Sequence, residues 1–388
     1  MQFLTVNAGS TSVKVERYEL ASGTLPSLDE PPAAVLSRCF APTAAEEVLP
    51  ALLRDGDVVA HRVVAVPPDW NAVTTFDAAA ADRMGTAAGS APLHDALALR
   101  LRAVVAHADP TVVQVAVADS AFHRTLPAAA TTYAVPRAWT RVGLRRRGYH
   151  GLSHEYAVHR GARLAGLDVR RCRAATLHLG GGSSLCAIRD GASIDTTMGL
   201  TPLEGVPMAT RCGAVDPGLL LEALRRGATP ASLERILERE SGLLGISGRS
   251  GDVRVLLDAA DDPDARLALD VLAWRVRTSL GAIVAALGRV DLVVFTGGIG
   301  ENVPALRAAA IAGLEGHGAQ LDERVNRHQG GDGRIDAASS TIAVAVVTAR
   351  EGWQLARFAA RFLAADGHFA QEDVDLLERP QDEIQAFG

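Results

Sequence analysis

Two stretches of the chain carry the same alternation of apolar and polar positions. In residues 2 to 20, QFLTVNAGSTSVKVERYEL, an apolar run passes into small Gly and Ser residues and then alternates through Val13, Val15 and Tyr18, which predicts strand, tight turn and strand. Residues 174 to 195, AATLHLGGGSSLCAIRDGASID, repeat the plan, with Leu177, Leu179, Leu185, Ala187 and Ile188 around GGGSS. One supersecondary unit is therefore expected twice, and each hairpin tip offers backbone N–H groups to an anion. Between the copies, TVVQVAVADSAFH is an apolar run ending in small and polar residues, as a buried strand leading into a site would. Helical spacing marks Ala98 to Ala108, Glu155 to Leu167, residues 217 to 240 and residues 262 to 288. DLVVFTGGIGEN predicts a strand and a Gly-rich turn with a helix from about Pro304, and TIAVAVVTAREGWQLARFAARFL a strand, a turn and a last long helix. Residues 21 to 50, rich in Pro and Ala, are expected to form a surface insert, and the acidic tail beyond Asp366 to fray. Strands alternating with helices argue an α/β architecture.

Length and charge narrow the picture. At 388 residues the chain exceeds the size at which single cores stop growing, so two domains are expected. A net charge of -6 supplies no long-range attraction to phosphate polymers or anionic bilayers, so neither nucleic acid nor membrane is an expected partner. Cys39, Cys172, Cys186 and Cys212 lie far apart with no C-x-x-C, which implies neither a zinc site nor a disulfide framework and suits a reducing cytosol. Met1 runs straight into a strand without the basic and apolar regions of a signal peptide, so a cytoplasmic location is expected.

The chemistry concentrates in short glycine-rich strings. NAGSTSVK holds the only lysine of the chain, Lys14, on the strand that follows a tip of small hydroxyl residues including Ser10 and Ser12. Where arginine otherwise carries the positive charge, a lone compact ammonium points to a specific contact, such as a phosphate oxygen. The string does not fit the G-x-x-x-x-G-K-[ST] pattern, which disfavours a P-loop. HLGGGSS lets backbone approach a ligand closely. FTGGIGEN lacks G-x-G-x-x-G and lies late in the chain, which argues against a nicotinamide site. Together, Gly-rich turns at 7–12, 180–184 and 297–300, each after an apolar strand, fit the phosphate, phosphate and adenosine segments of an actin-like ATP fold.

At this point the chain resembles the acetate kinases, short-chain carboxylate kinases of the acetate and sugar kinase, heat-shock chaperone and actin superfamily. The strings that carry the resemblance are VNAGSTSVK, HRVV, APLH, ADSAFHRTLP, GYHGLSH, HLGGGSS, TTMGLTPLEGVPMATRCGAVDP, SGLLGISG, VVFTGGIGEN and AREGWQLAR, spanning roughly residues 2 to 357. The resemblance implies a duplicated actin-like (ribonuclease H-like) α/β fold with ATP in a cleft between two domains. These would comprise residues 1–122 with 353–388, and residues 123–352. It implies that Arg62 and Arg211 hold the substrate carboxylate and the transferring phosphoryl group, a task suited to a planar, permanently charged fork. His150 would steady the oxygens of that group. Asp119 would position Mg²⁺ and water or hold an active-site arginine, because a carboxylate substrate is already ionised and needs no strong base. Asn7 and Glu351 would stand on the side of the Mg²⁺ (or Mn²⁺). Nucleotide contacts would come from Ser10, Ser12, Lys14, His178, Gly180, Gly181, Gly182, Asp252, Val253, Arg254, Gly298, Ile299, Gly300 and Asn302. The acyl pocket would be built from Val64, Leu93, Tyr149 and Pro202. His150 and His154 share helical spacing, but the glycine between them and the lack of a nearby third ligand argue against zinc.

The implied reaction is direct in-line transfer of the ATP γ-phosphoryl group to acetate, with a homodimer as the expected assembly. Three local departures bear on the acid. Tyr149 stands where the family commonly has Phe, AVPPDW follows HRVV in place of His-Gly-Gly, and Gly181 replaces a frequent asparagine. An added hydroxyl in the pocket needs a partner, which suits a different or more polar acid. The alternatives are therefore the same chemistry on propionate or another short acid, and, from another class, a non-catalytic ATP-driven switch.

Overall fold

The computed structural model describes residues 1–9, 12–20, 31–64, 66–67, 70, 72–87 and 92–365. The chain forms two compact units, one of Met1–Thr125, Tyr149–Tyr156 and the described residues from Arg350, the other of Leu126–Gly148 and Ala157–Ala349. Of the expected cofactor and substrate contacts, Ser10 and the side chain of Leu93 lie outside the described residues.

The first unit is built on a six-stranded sheet of β1 (Gln2–Ala8), β2 (Val13–Glu19), β3 (Leu36–Phe40), β4 (Asp57–Val63), β5 (Val73–Thr75) and β6 (Val113–Ala118), ordered β3-β2-β1-β4-β6-β5. β1, β4 and β6 run parallel, and the remaining neighbours are antiparallel. Every residue of β4 is buried, as expected for a central strand covered on both faces. Leu4, Val6, Val13, Val15 and Val59 form a core with Leu97, Leu101 and Val105 of the helix Pro92–Ala108 and with Ala45 and Leu49 of the helix Pro42–Leu52. Of the surface insert expected over 21–50, residues 21–30 lie outside the described residues; the part from 36 onward is corrected, because residues 36–40 pair with β2 and the next helix buries Ala45 and Leu49. The last helix, Glu351–Ala364, packs on β1, β2, β4, β5 and β6. It comes so close that a Cβ on Gly352 would stand 1.9 Å from Glu16 Oε2.

The second unit repeats the plan with β7 (Arg173–Leu179), β8 (Ser183–Arg189), β9 (Ala192–Thr196), β10 (Leu292–Thr296), β11 (Gly333–Arg334) and β12 (Ala343–Val346), ordered β11-β12-β10-β7-β8-β9. Renumbered within its own sheet, each unit follows one path, 3-2-1-4-6-5, and the duplication expected from the two hairpins is borne out across all six strands. The helix Pro263–Leu287 covers β7 and β8 with Leu272, Val276, Leu280 and Ile283. Asp262 caps its start and Gly288, at φ 74°, ends it. Two expectations change. Residues 217 to 240 are two helices, Pro217–Arg225 and Pro230–Arg239, because Gly227 at φ 97° breaks the first and Thr229 opens the second with a capping box. GGIGEN is a short helix, Gly297–Asn302, entered through Gly297 at φ 78°, where a Cβ would lie 2.7 Å from the Leu179 carbonyl.

Candidate active site

In the first unit, the ends of β1, β4 and β6 bring Asn7, Arg62 and Asp119 together. Arg62, 8% exposed, donates from Nη2 to Asp119 Oδ2 at 2.7 Å and from Nη1 to Asn7 Oδ1 at 3.3 Å. The Asn7 amide turns its other end to Glu351, donating from Nδ2 to Oε2 at 2.8 Å. Asp119 is fully buried and is held a second time from the helix Gly151–Ala165, where the His150 N–H reaches Oδ2 at 2.8 Å and the Gly151 N–H reaches the Asp119 carbonyl at 2.8 Å. That approach requires His150 in the left-handed region at φ 58° and no side chain at Gly151, whose Cβ would lie 2.3 Å from the same carbonyl.

The charges of this corner are strongly coupled. Burial alone would raise the Asp119 pKa, yet the Arg62 guanidinium, with help from the His150 N–H and His123, holds the carboxyl below its ordinary value. Burial opposes the charge of Arg62 in turn, and Asp119, then Glu351, hold it above the usual arginine value. Two carboxylates against one guanidinium leave the corner short of positive charge. Asp119 Oδ1 and Arg62 Nε are buried without hydrogen-bond partners among the described residues. An unpartnered carboxylate oxygen on Asp119, in a corner that Glu351 joins through Asn7, offers hard oxygen donors that suit Mg²⁺, which takes few protein ligands and completes its shell with water and phosphate oxygens. No group of three His, Cys, Asp or Glu side chains gathers to hold a metal unaided among the described residues.

Other expected residues of this unit occupy defined places. Lys14 stands opposite Asn7 in the β1–β2 register and pairs with Glu16, Nζ to Oε1 at 3.0 Å, while remaining half exposed. The Ser12 carbonyl accepts the Gly9 N–H at 2.8 Å and closes the first hairpin tip. Val64 is buried, its N–H donating to Asp95 Oδ1 at 3.3 Å. Tyr149 is buried, its carbonyl 2.9 Å from His123 Nε2.

In the second unit, Arg211 sits on a loop beside the GGGSS hairpin. Arg211 Nη1 donates to the Pro202 carbonyl at 3.4 Å, and the Ala209 N–H donates to the Gly181 carbonyl at 3.3 Å, tying this loop to the hairpin tip. The Leu243 and Leu244 N–H groups of the helix Gly242–Ser247 bond to the Met208 and Ala209 carbonyls, and Met208 N–H closes the loop onto the Arg211 carbonyl. The hairpin turn is closed by Gly180 N–H to the Gly182 carbonyl at 3.0 Å, and a Cβ on Gly180 would stand 3.8 Å from both Gly298 N and His178 Nε2. His178 is buried on β7. Gly298, Ile299, Gly300 and Asn302 lie in the short helix after β10, where Asn302 Nδ2 donates to the Gly298 carbonyl at 2.9 Å. Asp252 caps the helix Val253–Asp258 and pairs with Arg254, while Val253 is buried in the core.

Several contributors escaped the sequence reading. Gly242 adopts φ 61°, and its Cβ would stand 2.2 Å from the Met208 carbonyl. Gly251 faces the Ala209 carbonyl, which its Cβ would meet at 2.5 Å. Gly242 lies in the string SGLLGISG and Gly251 directly precedes Asp252, so a signal existed, but only the fold assigns them to the Arg211 loop. Asp95 is a lone acid in the sequence and fully buried in the structure, where it adds to the charge field at Arg62.

The profile of the Acetokinase family matches residues 33–357. The acetate kinase of Thermosynechococcus vestitus is 42% identical over 309 residues, 79% of this chain and 74% of that protein. The acetate kinase of Synechocystis sp. is 35% identical over 92% of this chain and 96% of that protein. Among solved structures, the acetate kinase of Porphyromonas gingivalis superposes with a TM-score of 0.80 at 31% identity, covering 93% of this chain and 99% of that one. A propionate kinase from Francisella tularensis superposes with a TM-score of 0.80 at 28% identity, covering 92% and 98%.

Proposed function

The chain belongs to the acetokinase family, with a duplicated actin-like α/β fold, and on that premise we propose that it is a kinase moving the ATP γ-phosphoryl group reversibly to the carboxylate of acetate. The observation that carries this reading is the buried Arg62 guanidinium, gripped by Asp119 and Asn7 and left with an unpartnered Nε. Such a fixed cation meets the main demand of the reaction, which is to bring two anions together and align them.

Each residue then has a physical task. Arg62 neutralises the acceptor carboxylate and Arg211 the transferring group, both as planar forks of constant charge. Asp119 holds Arg62 in place; an acid whose carboxyl has a pKa near that of Glu, about 4.3, arrives ionised and requires no base. His150 is fixed through its backbone to Asp119, and in this reading its imidazole would steady the phosphoryl oxygens. Asp119 and Glu351 would hold Mg²⁺, with Asn7 bridging Glu351 to Arg62. When bound, that cation draws charge from the phosphate oxygens and orients them for in-line transfer. The glycine hairpins, Lys14, the Asp252 turn and the helix Gly297–Asn302 supply the nucleotide contacts, mostly through backbone N–H groups.

In this reading Val64 and Tyr149 line the acyl pocket, and the Tyr149 hydroxyl keeps propionate or a more polar short acid as the second candidate. The Francisella relative, named a propionate kinase, supports keeping that candidate in the test. A non-catalytic ATP switch would have no use for cations gathered around a second anion. A cytoplasmic homodimer completes the reading, supported by four free thiols and by the exposed Leu219, Leu221, Leu267 and Trp274 of the second unit. No helix among the described residues is long and apolar enough to cross a membrane.

The test is acyl phosphate trapping with hydroxylamine, using ATP and Mg²⁺ across acetate, propionate, butyrate and lactate. Hydroxamate from acetate at the highest kcat/KM is expected. ATP loss without hydroxamate from any acid would favour the switch.

A further inference from the structure

Beneath the Asp119 and Glu351 corner of the first unit lies a buried polar group that the reaction does not use. The helix Glu351–Ala364 is buried on all sides from Gly352 through Ala360, and among its buried residues are Gln354 and Arg357, both at 0% exposure. A guanidinium removed from water needs partners, and Nη2 and Nε of this one have them. Arg357 donates from Nη2 to Glu155 Oε1 at 2.8 Å and from Nε to Gln354 Oε1 at 2.7 Å. Gln354 Nε2 donates onward to Glu155 Oε2 at 3.2 Å and to the Leu152 carbonyl at 3.4 Å. The three side chains close a ring that uses both carboxylate oxygens and both ends of the amide.

The position of the ring is informative. Leu152 and Glu155 lie at the start of the helix Gly151–Ala165, directly after His150, whose N–H holds Asp119. Gln354 and Arg357 lie about 4.5 and 9 Å along their helix from Glu351, which holds Asn7. The ring thus joins the two helices whose first residues build opposite sides of the Arg62 corner. Apolar side chains of similar volume would bury as well as this ion pair, but a hydrogen-bonded ring has one geometry, and apolar contacts permit sliding.

We propose that Glu155, Gln354 and Arg357 are positioning residues for phosphoryl transfer: their ring sets the rotation and offset of the Glu351 helix against the His150 helix. It thereby fixes Glu351 and Asn7 relative to His150 and Asp119. The role of the ring in turnover rests on the kinase reading above; its structural effect on the two helices does not.

The experiment compares wild type with Arg357→Met, Gln354→Leu and the double variant Glu155→Gln with Arg357→Met. Arg357→Met leaves Glu155 buried and unpaired and can fail to fold, whereas the double variant buries no charge and therefore decides the matter. It is expected to melt within about 5 °C of wild type. Its kcat for hydroxamate formation is expected to fall about tenfold, since small displacements away from the chemistry are expensive in rate. Amide exchange in peptides covering residues 149–156 should quicken at the same time. A folded double variant with kcat within about twofold of wild type and unaltered exchange over 149–156 would overturn the proposal. A wild type that makes no hydroxamate would overturn the kinase reading instead, and the exchange measurement would still judge the ring.

Discussion

His61 precedes Arg62 on β4 and meets the opposite electrostatic fate. Arg62 keeps its charge in the interior because Asp119 and Glu351 surround it. His61 has no carboxylate beside it; burial lowers its pKa from 6.5 to about 4, with only Gln114, 2.9 Å from Nε2, acting in the other direction. The unfolded chain therefore binds a proton at His61 as pH falls through 6.5, and the native state does not until about 4. Stability from this group is complete above 6.5 and drains away between 6.5 and 4. The full difference amounts to about 3 kcal/mol. Urea unfolding across that window should show the decline in wild type and a flatter profile in His61→Gln; parallel profiles would contradict the assignment. Residue-scale chemistry was partly legible in the sequence. Arg62, Asp119, Asn7, Glu351 and His150 stand in the quoted strings, and the structure brings all five together. Asp95 and Glu155 gave no warning, and Arg357 closes the string AREGWQLAR with no sign of its burial, because nothing in a chain rich in arginine and acid separates a buried charge from a solvated one until tertiary partners are known.

At the scale of elements, glycines decide where the cations sit. Gly242 opens its helix at φ 61° against the loop that carries Arg211, with no room for a Cβ beside the Met208 carbonyl. Gly242→Ala should cost more than about 2 kcal/mol, from the left-handed backbone and the collision together. It should also lower turnover at least about tenfold by moving the Arg211 loop. Thermal melts and steady-state rates of the variant check both numbers, and unchanged turnover would detach Arg211 from this support. Gly181, by contrast, faces open space, so its lack of a side chain is not imposed by packing. Strong periodicity exposed the hairpins and the long helix Pro263–Leu287, which the structure reproduces. Weak or conflicting signals misled elsewhere. Pro and Ala between 21 and 50 suggested an insert, yet tertiary packing made an edge strand of 36–40 and a core helix of 42–52. GGIGEN suggested a turn because glycine disfavours helix, and the short helix Gly297–Asn302 forms nonetheless.

At the scale of the whole molecule, one sheet path is used twice, and the two copies have specialised. The first carries the Arg62 corner, with its buried charges; the second carries Arg211, tied by its loop to a glycine hairpin. The duplication was readable from two hairpins alone, because each supplies the first two strands of its sheet. The division of labour was not, since it depends on which strand ends and helix starts meet. If the Arg62 guanidinium lets the two anions approach, its removal must cost rate far more than stability. The direct measurement is kcat/KM for hydroxamate formation from acetate by Arg62→Ala, with a melting curve to show that the variant is folded. The account predicts a loss on the order of 10²-fold or more in a folded protein. A folded Arg62→Ala that turns over at close to the wild-type rate would contradict it.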